Sequence, residues 1–183
     1  MKICVFGAAR DEIDPGFFDL GEALGRALGE RGHTLVFGGG AHGMMGAAAR
    51  GCAAAGGAVI GVAPHFFRRP GVLFEGPATW YHMDTMAERK SVMEDLADGF
   101  IALPGGVGTM EEILEVITLR GLGRMKKPIA FLDRDDYWRP TLAALENCVE
   151  RGFAPASLRE EYGSFTDPAE CLDYLEREAA HDL

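Results

Sequence analysis

One stretch limits what this chain can fold into: Phe100–Ile113, which reads Phe-Ile-Ala-Leu-Pro-Gly-Gly-Val-Gly-Thr-Met-Glu-Glu-Ile. The apolar run Phe100–Leu103 has the length and content of a buried strand. Pro104 ends it, and Gly105, Gly106 and Gly108 follow. Met110, Ile113, Leu114 and Ile117 then recur at helical spacing, so a helix is expected to open at Thr109. A strand that passes through a glycine loop into a helix start gathers backbone N–H groups and the positive end of a helix dipole at one point. Glycine lets that backbone come close to an anion. The loop has neither the dinucleotide glycine spacing nor the Gly-Lys-Ser/Thr of a Walker A loop. A phosphate-sized anion at Gly105–Thr109 is the central expectation.

The rest of the chain alternates short apolar runs with helical patterns. Strands are expected at Lys2–Gly7, Thr34–Phe37, Ala58–Val62 and Pro128–Leu132, with a short one at Thr79–His82. Asp14-Pro15 reads as an N-cap with proline at the first helical position, starting a helix to about Arg31. Gly38–Gly46 is a second glycine-rich loop leading into an alanine-rich helix that runs to Ala55. Thr85-Met86-Ala87-Glu88 has capping-box spacing and opens a helix through Ala97. Further helices are expected over Tyr137–Arg151 and from Asp167 to about Ala180. Ala63–Pro77, with its prolines and Arg68-Arg69 pair, reads as an irregular flap over the site. No repeat or linker divides the chain, so residues 1–183 are taken as one domain. Alternation of this kind implies a Rossmann-like, doubly wound α/β fold: a mainly parallel sheet with helices on both faces. Ligands in such folds sit beyond the carboxyl ends of the strands, where the loops after Gly7, Phe37 and Leu103 would open.

Charge narrows the ligand. The net charge of −10 argues against a nucleic-acid or anionic-membrane surface, so an anion site must be local. Cys4, Cys52, Cys148 and Cys171 are scattered without a CxxC pair and read as reduced thiols rather than disulfides or zinc ligands. His33, His42, His65, His82 and His181 lack metal-ligand spacing, although His42 and His82 fall near the expected mouth. No apolar stretch approaches the length of a membrane span, and a soluble cytoplasmic protein is expected.

The residues Pro104-Gly105-Gly106-Val107-Gly108-Thr109-Met110-Glu111-Glu112 match a PGGxGTxxE signature, and Arg89-Lys90-Ser91-Val92-Met93 matches a companion Arg-Lys-x-x-Met motif. With the Gly38-Gly39-Gly40 and Gly43-Met44-Met45-Gly46 loop, the chain resembles the lonely-guy family from strand one to about Phe153. Those are cytokinin riboside 5′-monophosphate phosphoribohydrolases, formerly labelled lysine decarboxylases. The resemblance implies hydrolysis of the N-glycosidic bond of an adenosine-type 5′-monophosphate, with no cofactor, in a homodimer. A methionine-rich surface around Met83, Met86 and Met93 is expected to contribute to that interface. Glu112 is implied to stabilise the oxocarbenium-like centre and activate water, and Arg89 to orient the substrate and offset charge. Gly105, Gly106, Val107, Gly108 and Thr109 are implied to cradle phosphate, with Lys90, Gly40, Gly43 and Met44 as further substrate contacts. Glu111 and Thr118 are implied to reach the ribose. Two departures from the family pattern are evident: relatives typically carry Gly-Ser in the first loop, whereas this chain has Gly7-Ala8-Ala9-Arg10, and the Pro64–Pro77 region with His65-Phe66-Phe67-Arg68-Arg69 is atypical and is expected to influence which base is accepted.

Bland readings compete with each assignment. Thr109–Glu112 itself has capping-box spacing, so Glu112 could bond the Thr109 N–H instead of a substrate. Arg89 and Lys90 alone would be a solvated helix face. A non-catalytic carrier of a nucleotide or molybdenum cofactor would share the glycine loops but needs no Arg89 with Glu112. A decarboxylase would need pyridoxal phosphate on a lysine, and no lysine sits in a recognisable cofactor loop.

Overall fold

The computed structural model describes residues 1–181. Seven strands form one sheet: β1 (Lys2–Phe6), β2 (Thr34–Phe37), β3 (Ala58–Pro64), β4 (Thr79–Met83), β5 (Gly99–Ala102), β6 (Ile129–Leu132) and β7 (Gly163–Phe165). Their order is β4-β3-β2-β1-β5-β6-β7, and every pairing is parallel. Five helices connect them, α1 (Pro15–Glu30), α2 (Gly43–Ala54), α3 (Met86–Leu96), α4 (Val107–Gly121) and α5 (Arg139–Glu150), and α6 (Pro168–His181) follows β7. The fold is the expected Rossmann-like, doubly wound α/β architecture.

Alternation along the central strands explains the two layers. Ile3 and Val5 of β1 point to the face covered by Leu24 and Leu28 of α1, Met44 of α2 and Leu172 of α6. Cys4 and Phe6 point the other way, against Met93 of α3, Ile113 and Val116 of α4, and Trp138. Strands buried on both faces read as continuous apolar runs, as β5 and β6 do. The direction of winding reverses between β1 and β5. That reversal opens a crevice at the strands' carboxyl ends, where the site lies.

The expected caps form. The Asp14 carboxylate accepts from the Gly16 N–H at 2.9 Å, and Thr85 with Glu88 makes a complete capping box.

Several boundaries differ from expectation. α4 begins at Val107, two residues early, with Gly106 as its N-cap. The apolar period missed this first turn because Val107 is exposed and Gly108 carries no side chain. Strand β7 was not expected: Gly-Ser-Phe is too short and too polar to signal a strand, and it forms by pairing with β6. The methionine surface is also corrected. Met93 is core at 1% exposure and Met83 is half-buried, which leaves Met86 alone exposed. Ala63-Pro64 extend β3, His65–Phe67 form a single 3₁₀ turn, and Leu73 makes an antiparallel bridge to Gly40. The flap is therefore stitched to the loop after β2. Among the described residues no helix is long and apolar enough to cross a membrane.

Candidate active site

Three loops interlock at the switch point. The Ala8 N–H donates to the Pro104 carbonyl at 3.1 Å, and the Met45 N–H donates to the Ala8 carbonyl at 3.2 Å. Gly43 makes this approach possible: its φ is 62°, and a β-carbon there would lie 2.3 Å from the Ala8 carbonyl oxygen. Asp11 adds a second tie, accepting from the Gly43 N–H at 2.9 Å and facing His42 Nδ1 at 2.5 Å. His42 Nε2 reaches the Gly71 carbonyl at 2.8 Å. Both ring nitrogens thus face acceptors, and the Gly71 carbonyl together with Asp11 holds the His42 pKa above its ordinary value.

Between these loops lies a cavity of about 530 Å³. One end of it is the start of α4. Gly106 offers no side-chain cap, so the first-turn N–H groups have no side-chain partner there. Tyr137 donates its hydroxyl hydrogen to the Gly105 carbonyl and lines the same cavity, fixing the loop from α5's side.

The charged pair sits in the wall. Arg89, 5% exposed, donates from Nε to the Val62 carbonyl at 3.1 Å and from Nη1 to Glu112 Oε1 at 3.0 Å. Gly38 leaves room for the guanidinium, since a β-carbon there would fall 1.7 Å from Arg89 Nη2. Glu112 does not bond the Thr109 N–H, so the capping alternative is overturned. With α4 starting at Val107, Thr109 is the third helical residue and Glu112 lies nearly a turn further on. Burial raises the Glu112 carboxyl above 4.5, and the charge of Arg89 opposes that rise without cancelling it. A carboxylate of raised basicity, a fixed guanidinium and an uncapped helix start therefore share one cavity. Such a set can hold a phosphate and accept a proton nearby.

A second cavity of about 510 Å³ adjoins the first and shares Ala9, Met45 and Arg89 with it. The flap supplies its apolar side through Phe67, Pro70, Val72 and Leu73. A larger groove of about 680 Å³, lined by Asp133, Glu146 and Tyr162 among others, contains none of the motif residues.

Of the expected residues, Met44, Arg89, Gly105, Gly106, Gly108, Thr109 and Glu112 line the first cavity, and Gly40 lines the second. Gly43 lines neither and acts through the loop contacts described above. The remaining four lie outside both cavities. Lys90 bonds Glu111 and Glu115 on the outer surface, and Glu111 holds the Lys90 pKa well above its ordinary value, helped by Glu115. Val107 is 84% exposed, and the exposed Thr118 donates its hydroxyl to the Leu114 carbonyl at 2.7 Å. His82 also leaves the site, stacking between Trp80 and His65 beside a separate cleft. Sequence reasoning did not find Arg10, Phe17 or Tyr137, all of which line the first cavity. Tyr137 lies 32 residues from the carbonyl it binds, and no local pattern announces such a contact.

Similarity to known proteins agrees with this geometry. Residues 45–175 match a family model described as "Possible lysine decarboxylase". A Rhodococcoides fascians cytokinin riboside 5′-monophosphate phosphoribohydrolase is 37% identical over 159 residues, covering 86% of this chain and 80% of that protein. A probable enzyme of the same name from Oryza sativa subsp. japonica is 37% identical over 175 residues, covering 96% of this chain and 83% of its own. The molybdenum cofactor carrier protein of Chlamydomonas reinhardtii superposes with a TM-score of 0.74 over 98% of both chains. At 20% identity that likeness shows the fold alone. The decarboxylase description fits the cavity poorly, because a Schiff base needs a lysine there and no lysine lines it among the described residues. The chain belongs to the lonely-guy family, the cytokinin riboside 5′-monophosphate phosphoribohydrolases.

Proposed function

We propose that this protein hydrolyses the N-glycosidic bond of adenosine-type 5′-monophosphates, releasing the free base and ribose 5-phosphate. The observation that carries the reading is the Arg89–Glu112 pair, 3.0 Å apart, in the wall of the cavity that ends on the uncapped start of α4. The relatives' printed activity supplies the substrate class.

The chemistry follows from those groups. The phosphate binds the N–H groups at Gly105–Thr109, which fixes the ribose beside Glu112. As the bond from ribose C1′ to the base breaks, its electron pair leaves with the base and positive charge develops at C1′. The Glu112 carboxylate stabilises that charge and takes a proton from the water that attacks C1′, and that proton passes on to the base nitrogen, which restores the carboxylate and leaves a neutral base. Arg89 keeps the carboxylate oriented and offsets negative charge on the departing base. The second cavity, reached past Arg89 and Met45, suits the base. Phe67, Val72 and Leu73 favour an apolar substituent on it, as an N6-modified adenine carries.

Base release from AMP and from adenosine tests the role of the glycine loop. Removing the 5′-phosphate leaves Gly105–Thr109 empty, so adenosine should be hydrolysed at least ~10-fold more slowly, the scale of lost charge-assisted hydrogen bonds. Equal rates would contradict the proposal.

A homodimer belongs to the same reading. Val107, Leu114 and Leu122 form an exposed apolar row along α4, and Met86 of α3 is exposed as well. A second copy covering that row would also meet Lys90, Glu111 and Thr118, the family-implied contacts that face away from the cavity of one protomer. Light scattering should return twice the protomer mass of 19.7 kDa at micromolar concentration. A monomer would refute it.

A further inference from the structure

Four charged residues line the first cavity: Arg10, Glu12, Arg89 and Glu112. Arg89 and Glu112 neutralise one another at 3.0 Å, so that pair offers a phosphate no net charge. A phosphomonoester carries roughly 1.5 to 2 negative charges at pH 7, whereas a helix N-terminus supplies about half a positive one. The protein's net charge of −10 repels such a ligand at long range. Among the described residues lining the cavity, Arg10 is the cation without a carboxylate partner.

Arg10 is placed to do so. The residues around it are anchored: Ala8 is bonded to Pro104 and Met45, and Asp11 is bonded to Gly43 and His42. Both Asp11 oxygens are thereby occupied. Among the described residues Arg10 makes no ion pair, with Glu12 of the same wall or with any other acid.

We propose that Arg10 is a phosphate-binding residue, its guanidinium fork engaging the phosphate oxygens that the glycine loop leaves open. The assignment deepens the phosphoribohydrolase reading and rests on it for the identity of the phosphate ester. The fork draws a dianion into a protein of like sign.

Calorimetric titration of the full chain with ribose 5-phosphate tests this without requiring turnover. Arg10→Gln should weaken binding about tenfold, the low end for a charge-assisted hydrogen bond near solvent. It should also flatten the dependence of affinity on salt, and Arg10→Lys should recover part of the loss. Melting temperatures should match the parent, because the side chain is exposed and unpaired. Equal affinity and equal salt dependence in parent and Arg10→Gln would overturn the proposal, as would a parent that fails to bind ribose 5-phosphate. If the titrations behave as expected while no nucleotide releases its base, the hydrolase reading falls and the Arg10 assignment stands.

Discussion

Glu112→Gln should cut base release by about 10²-fold or more while leaving the fold intact, the usual scale for removing a positioned acid–base group. Glutamine keeps the shape and can still accept from Arg89 Nη1, which now lies 3.0 Å from Glu112 Oε1. It cannot take a proton from water or stabilise a cationic centre with charge. The cost of burying the carboxylate outweighs the attraction of Arg89, but glutamine leaves the buried guanidinium without its counter-charge, so rates are compared per folded molecule. The same balance sets the pH dependence. The folded pKa of Glu112 lies above the unfolded value, so its contribution to stability is fully present below that unfolded value. It is lost as pH rises through the raised folded pKa. Melting curves should show the parent losing stability relative to Glu112→Gln over that rise. The kcat/KM of the parent should fall on acidification at a pH above 4.5, where the buried carboxylate gains its proton. Parent-level hydrolysis by Glu112→Gln would remove Glu112 from the chemistry.

Arg89→Lys should lower base release by about 10²-fold, although the charge is kept. Arg89 makes two directed bonds from one planar group, Nε to Val62 and Nη1 to Glu112, inside a wall that leaves it 5% exposed. A lysine ammonium is a single point on a flexible stem and cannot meet both acceptors in that geometry. One of them is left without its bond, costing about 1–3 kcal/mol of stability. The Glu112 carboxylate then loses its fixed orientation, and the charge facing the departing base moves. A base-release rate with a melting curve separates the two effects. A variant that melts early yet turns over at the parent rate per folded molecule would assign Arg89 to structure alone.

The features read correctly from sequence are those written in adjacent residues. Phe100–Leu103 followed by glycines could be placed as strand and loop because burial on both faces demands an unbroken apolar run. The Asp14 and Thr85 caps were legible for the same reason, their partners lying two or three residues away. The start of α4 was misjudged because an exposed Val107 and Gly108 carry no apolar period. That error sustained the capping reading of Glu112. Tertiary contacts decide the rest. The resemblance supplied the meeting of Arg89 with Glu112, 23 residues apart, which no local pattern could. Arg10 carries no local pattern that marks it as a cavity residue, since only the meeting of three loops brings it to that wall. Lys90, Glu111 and Thr118 sit on the outward side of α3 and α4, where helical rotation turns them from the cavity that Arg89 and Glu112 face.

The Arg89–Glu112 pair above the glycine loop is what would make this chain a hydrolase rather than a carrier. One measurement reaches it directly: incubate the purified protein with N6-substituted AMP and resolve the products by chromatography. Free N6-substituted adenine and ribose 5-phosphate should appear in equal amounts and accumulate over many turnovers. Nucleotide recovered intact, bound at one equivalent per site with no free base, would contradict it.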